Sequence, residues 1–520
     1  MSETETEQAP GPEDDELAET VAAMIATEGW RAAADFIERS WDAYVYTRPA
    51  VLLAAFKALP AEALMERDGL LVAVDYLRHL VAGTAARRFQ SKAFRLGERG
   101  GLANRLIKLT GRAAEFRTTG QLDLANHTVR EAHRLLAEAP EEQRHELRHT
   151  LPHLRMQWAL CLEAAGDDAA VVEYQESYDV ALLTDQAAIA RRAAASLAWI
   201  YAAQGRSSLS RQWTETAHGL DLPNDRYDIP LLLAEAMQSI DRLDDAEAEA
   251  RLRALDDVDQ GEYWVAALWV RACRVRTRAE AMLVEDRLAA EVVRRPERMI
   301  AEGGNRTYLL TARTLLATAQ GRPLTPPSVQ DSAIDDVVAA QAHYRAGRRQ
   351  LVIDSTRRPV MPEQYPRVLA AGLLLRAAAE LDARMPGAAA LTFLRAHALV
   401  EHEQLYTLYG VIGVSHLREL VELAEVELAQ PARDLFLRME DTSDADRLTQ
   451  LTAREREILT LLTTEKSIPV IAQELFISRN TVKTTVQRIY AKLEVHDRTS
   501  AAEIAHRAGL AGRGDGSTTR

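Results

Sequence analysis

Two short stretches of this 520-residue chain hold side chains whose types and spacing do chemistry. "RHELRHTLPH" (144–153) contains His145-Glu146-Leu147-Arg148-His149. In that H-E-x-x-H order, two imidazoles one helical turn apart bind zinc and the glutamate acts as general base. "SRNTVKTTVQRIYAKL" (478–493) carries Arg479, Lys483, Arg488 and Lys492 and no acidic residue. Its cations suit phosphates, and the amides and hydroxyls interleaved with them suit base edges.

The zinc reading is the weaker of the two. Arg148 lies inside the motif, "PEEQR" precedes it, and His153 arrives at the wrong spacing for a third ligand. Histidines four apart are also what an exposed helix face presents. Other catalytic signatures are missing. No Gly-Lys pair occurs, so there is no phosphate-cradling G-x-x-x-x-G-K-[ST] loop, and no G-x-S-x-G elbow is found. Cys161 and Cys273 are far apart and read as two reduced thiols. The chain is read as a non-enzyme with no catalytic residue, metal or cofactor.

The basic stretch needs a frame, and its neighbours supply one. Thr452 and Glu455 form a T-x-x-E capping box that opens one helix, with Ile458, Leu459, Leu461 and Leu462 as its buried face. Ser467 is placed to cap a second helix that tolerates Pro469 in its first turn. "LFIS" (475–478) is the turn, Ser478 caps the basic helix, and Asp497 caps a last helix ending at Gly509. Two helices across so short a turn make a helix-turn-helix. Within the basic helix, Val482, Val486, Ile489 and Leu493 form one apolar stripe. With Val482 at 0°, Lys483 falls at about 100°, Gln487 at about 140°, Asn480 at about 160°, Thr484 at about 200° and Arg488 at about 240°. A polar face of this kind is what a major groove requires.

"LTAREREILTLL", "IAQELFISRNTVKTTVQRIYAKLEV" and "RTSAAEIA" resemble, in order and spacing, the LuxR-type helix-turn-helix domain over 448–510. The resemblance implies a bacterial transcription factor whose third helix enters the major groove of double-stranded DNA. It also implies a homodimer on DNA through the helix at 497–508. By position, Lys483, Thr484 and Gln487 would meet base edges. Arg479, Thr481, Arg488 and Lys492 would meet phosphates, with Arg498 either a phosphate contact or structural. The sequence departs from the family where "EKSIPVIA" (465–472) replaces Gly and S-N-K-E-I-A, where Thr485 replaces histidine, and where Glu494 replaces glycine.

The remainder is acidic and helical. Aromatic residues are 6% and β-branched runs are scarce, which favours helix. Turn landmarks at Gly120, Gly166, Gly205, Asp241, Gly321 and Gly347 separate amphipathic segments. Around Gly205, Leu197, Ile200, Tyr201 and Gln204 lie on one helix, and Trp213 and Ala217 on the next. This pattern resembles tetratricopeptide-like helical hairpins. The fold class expected is all-α: a helical-hairpin repeat (TPR-like) solenoid followed by a four-helix LuxR-type helix-turn-helix domain. That order is also similar to the C-terminal half of the MalT-like regulators, without their nucleotide-hydrolysing module.

The domains read as an acidic disordered tail (1–15), a helical sensor or scaffold (16–435), a linker (436–447), the DNA-binding domain (448–510) and a disordered tail (511–520). The net charge is −14, but 448–510 carries nine Lys/Arg against seven Asp/Glu, so the acidity belongs to the rest. No signal peptide or membrane span is read, and a cytoplasmic, nucleoid-associated protein is expected. An effector ligand or partner protein of unknown identity is expected in the solenoid groove. The competing reading is a protein-interaction adaptor whose terminal domain is vestigial.

Overall fold

The computed structural model describes residues 16–507, apart from 46–47, 83–88, 92–93, 95–100, 221–227, 259, 295–296, 329, 331, 358–364, 436, 438–447, 449–450, 465, 494 and 496. The expected 1–15 and 511–520 tails and nearly all of the linker lie outside the described residues. The regular elements are all helical among the described residues, and none of these helices is long and apolar enough to cross a membrane.

Helical hairpins organise the chain from Leu102 onward. Leu102–Thr118 pairs with Leu122–Glu138, Leu151–Ala165 with Ala169–Leu183, and Ala187–Gln204 with Ser207–Gly219. Ile229–Asp241 with Asp245–Asp256, and Pro366–Asp382 with Pro386–Glu403, continue the series. Five of the six turn landmarks are left-handed glycines: Gly120, Gly166, Gly205, Gly321 and Gly347 have φ between 67° and 84°. The sixth is displaced. Asp241 ends its helix buried, and Leu243 takes the left-handed conformation at φ 63°. Asp185 and Arg384 do the same in hairpins where no glycine marks the turn. Leu405, Tyr406, Leu408, Tyr409 and Ile412 are buried, and Val411 is partly buried against the same core.

Two features go beyond the sequence reading. First, the segment from Glu16 to Val81 is a bundle of short helices with its own core around Val21, Ile37, Leu52, Phe56 and Leu77. Second, later helices pack back onto the earlier hairpins. Gly303–Ala319 packs on Leu151–Ala165, and Pro366–Asp382 packs on Ala187–Gln204. Arg367 locks the second contact. Its guanidinium donates to both carboxylate oxygens of Asp241 at 2.8 and 2.6 Å, and to the carbonyls of Ala202 and Ala203 at 2.9 and 3.1 Å.

Gly205 makes this approach possible, because a Cβ there would lie 2.7 Å from the Arg367 amide nitrogen. Gly347 has a similar φ of 67° with nothing within 4 Å of an added Cβ. Gly347→Ala therefore costs only the left-handed strain, about 1 kcal/mol. Gly205→Ala costs about 2 kcal/mol or more, because backbone must also move. Thermal unfolding followed by circular dichroism checks the order; equal effects would mean that the Arg367 contact is not made.

Candidate nucleic-acid interface

The terminal unit comprises Ala453–Thr463, Ile468–Glu474, Arg479–Leu493 and Arg498–Arg507. Each start has a local cause. Thr452 Oγ1 accepts the Glu455 amide at 3.2 Å, and Glu455 Oε2 accepts the Thr452 amide at 2.7 Å, which completes the capping box. Ser478 Oγ accepts the Thr481 amide at 3.1 Å, and Asp497 accepts the Ser500 amide at 2.8 Å. Ser467 sits at the N-cap with Pro469 in the first turn, but its side chain makes no capping bond. In the tight turn the Ile477 amide donates to Ala472 carbonyl at 3.0 Å, and Phe476 is left-handed at φ 53°.

One apolar core joins the four helices. Val482, Ile489 and Leu493 are fully buried and Val486 nearly so, against Ile458, Leu459, Leu462, Ile471, Ala501 and Ile504. Burying one face of the basic helix fixes what the other presents. Arg479, Asn480, Thr481, Lys483, Thr484, Gln487 and Arg488 are all exposed. Arg479, Lys483 and Arg488 have no acidic partner among the described residues. The Thr481 hydroxyl lies 2.8 Å from Ser478 Oγ, and Thr484 Oγ1 donates to the Asn480 carbonyl at 3.0 Å.

Lys492, expected at phosphate, and Arg498, expected at phosphate or in a structural role, both have internal partners. Lys492 Nζ lies 2.6 Å from Glu455 Oε2. The Arg498 guanidinium donates twice to the Leu462 carbonyl, at 3.0 and 2.7 Å, closing the end of Ala453–Thr463. Both act in the frame. Their partners are 37 and 36 residues away, so no local pattern announces them.

The zinc-like motif is not brought together on one helix. Glu141–Glu146 ends inside it, and His145, Glu146, Arg148 and His149 are exposed. Among the described residues no group of three or more His, Cys, Asp or Glu is placed to hold a metal ion.

The Lys492 ammonium, followed by the Thr452 amide, holds the Glu455 carboxyl below its ordinary 4.5. A depressed carboxyl contributes stability that is complete above its ordinary value and is lost as pH falls through the folded value. Lys492→Ala should therefore destabilise the unit by about 1 to 3 kcal/mol at pH 7, and by less as pH falls below about 4. Hydrogen exchange of the Arg479–Leu493 amides in the full chain reads both effects.

Residues 449–505 match the family described as bacterial regulatory proteins, luxR family. The probable transcriptional regulatory protein NarL of Mycobacterium tuberculosis (strain H37Rv) is 53% identical over 57 residues, 11% of this chain and 26% of that protein. The transcriptional regulatory protein LiaR of Bacillus subtilis is 53% identical over 57 residues, 11% of this chain and 27% of LiaR. The uncharacterized transcriptional regulatory protein YhcZ of the same species is 52% identical over 63 residues, 12% of this chain and 29% of YhcZ. These matches span little more than a quarter of each relative. Capping box, tight turn, buried stripe and exposed polar face follow one another within the matched stretch, and residues 449–505 of this chain are a LuxR-family domain.

Proposed function

We propose that the protein is a non-catalytic, cytoplasmic transcriptional regulator that binds double-stranded DNA in a sequence-specific manner through the helix Arg479–Leu493. The carrying observation is that Arg479, Lys483 and Arg488 are exposed with no acidic partner among the described residues, on a helix whose opposite face is buried. In this reading Lys483, Thr484 and Gln487 meet base edges, while Arg479, Thr481 and Arg488 meet phosphate. The names of the three relatives, all transcriptional regulatory proteins, support the same reading. A homodimer through the last helix would set two such helices on half-sites about one DNA turn apart. The region 16–435 would serve as the sensor or scaffold for a ligand or partner protein, joined by the linker at 436–447.

Binding of the full chain to promoter fragments from its host, measured across salt concentrations, tests the proposal. Each phosphate contact contributes a slope of about −0.9 to log K against log salt. Lys483→Ala and Arg488→Ala should weaken binding, and losing the Arg488 contact should flatten the slope by about one. Unchanged affinity and slope in both variants would leave the adaptor reading in its place.

A further inference from the structure

We propose that Asn480 is a further base reader, and that with Gln487 it directs this domain to half-sites presenting two adenines within a few base pairs of each other. The inference rests on the reading of Arg479–Leu493 as the groove helix.

The exposed face of that helix is divided by charge. With Val482 at 0°, Arg479 lies at about 60° and Lys483 at about 100°, on one flank. Arg488 at about 240° and Thr481 at about 260° form the other. Between them runs an uncharged stripe of Gln487, Asn480 and Thr484, at about 140°, 160° and 200°. Arg479 and Arg488 at the outer margins suit the phosphate walls of a groove, and the middle stripe, with Lys483 at its edge, suits its floor.

Within the stripe, hydrogen bonding sets apart two side chains. Thr484 Oγ1 donates to the Asn480 carbonyl at 3.0 Å, so its proton is already used. What it offers a base is an acceptor oxygen and a methyl group, which suits a thymine methyl. Asn480 is exposed, and its carboxamide has no partner among the described residues. The same holds for Gln487. Only these two can donate and accept at once. In the major groove adenine presents an N6 donor beside an N7 acceptor, which a carboxamide matches with two hydrogen bonds. Asn480 is the second residue of the helix, and the N-terminal end is where recognition helices meet bases. Seven residues, about 10.5 Å of helix, separate the carboxamides, so the two reach different base pairs of one half-site.

The test is selection of bound duplexes from a random pool by the full chain, followed by affinity measurement. The wild type should enrich half-sites with two adenines so spaced, on either strand. Asn480→Ala should weaken the selected site on the order of 10- to 100-fold and relax preference at one adenine only, with the salt slope unchanged. A 7-deazaadenine there, which lacks the N7 acceptor, should cost the wild type a similar factor and Asn480→Ala nothing. Circular dichroism should show the variant folded, since this side chain is exposed and makes no hydrogen bond among the described residues. If Asn480→Ala selects the same half-site with equal affinity, while Lys483→Ala loses binding, the Asn480 proposal fails and the groove helix stands. If the wild type enriches no sequence and Lys483→Ala binds as it does, the underlying reading fails as well.

Discussion

The carboxylate of Glu455 joins the two ends of the terminal domain. It closes the capping box at the start of Ala453–Thr463 and takes the Lys492 ammonium from the last turn of Arg479–Leu493. The residue is only 7% exposed, so its charge must be met by partners rather than water. Two further polar links complete the frame. Arg498 holds the Leu462 carbonyl, and Arg454 donates to the Leu475 carbonyl beside the tight turn at 2.8 Å. With these links outside and the Val482 stripe inside, the groove helix is fixed in rotation. Its exposed residues are then a defined set. Of the four cations in the basic stretch, one serves the frame and three remain available to a partner.

The helical region uses the same division between apolar cores and polar links. Separate cores form around Trp158 and Tyr174, around Trp199 and Trp269, and around Leu374 and Phe393. The contact between the first hairpins and the Pro366–Asp382 block is largely polar. Besides Arg367, Thr407 donates to Asp241 at 3.2 Å, Arg211 to the Gln404 side chain at 3.1 Å, and Tyr365 hydrogen-bonds to Asp168. Buried pairs of this type fix geometry more than they add stability. Gly205 admits Arg367 only because it lacks a side chain. An effector reaching the covered part of Ala187–Gln204 would have to displace these bonds.

What the sequence disclosed follows from the range of each interaction. The stripe of the basic helix, the Thr452–Glu455 box, and the Ser478 and Asp497 caps act within one turn or a few, so residue type and spacing suffice. The glycine turns were legible because left-handed backbone favours glycine. Leu243, Asp185 and Arg384 adopt the same conformation with no such mark in the sequence. Lys492 and Arg498 looked available because their charges are visible in sequence and their partners are not. The His145–His149 spacing assumed a helix that stops at Glu146. Ser467 has the right type and place for a cap, and the structure gives no reason why its hydroxyl stays unused.

The separation of charge shapes how such a domain would have to recognise DNA. Within the terminal unit, Lys492 is paired with Glu455, Lys466 with Glu474 at 2.8 Å, and Arg454 with Glu457 at 2.6 Å. Among the described residues, Arg479, Lys483 and Arg488 on one helix have no acidic partner, while Arg456 and Arg498 on other helices donate to backbone carbonyls. The acidic remainder repels phosphate, but that repulsion is screened beyond about 8 Å at physiological salt. Attraction is therefore short-ranged and comes from few contacts, which makes for weak non-specific binding. Where phosphate attraction comes from few contacts, base contacts carry more of the binding to a site. That dependence gives weight to the uncharged stripe between the two cationic flanks, where the exposed Asn480 and Gln487 carboxamides have no partner among the described residues.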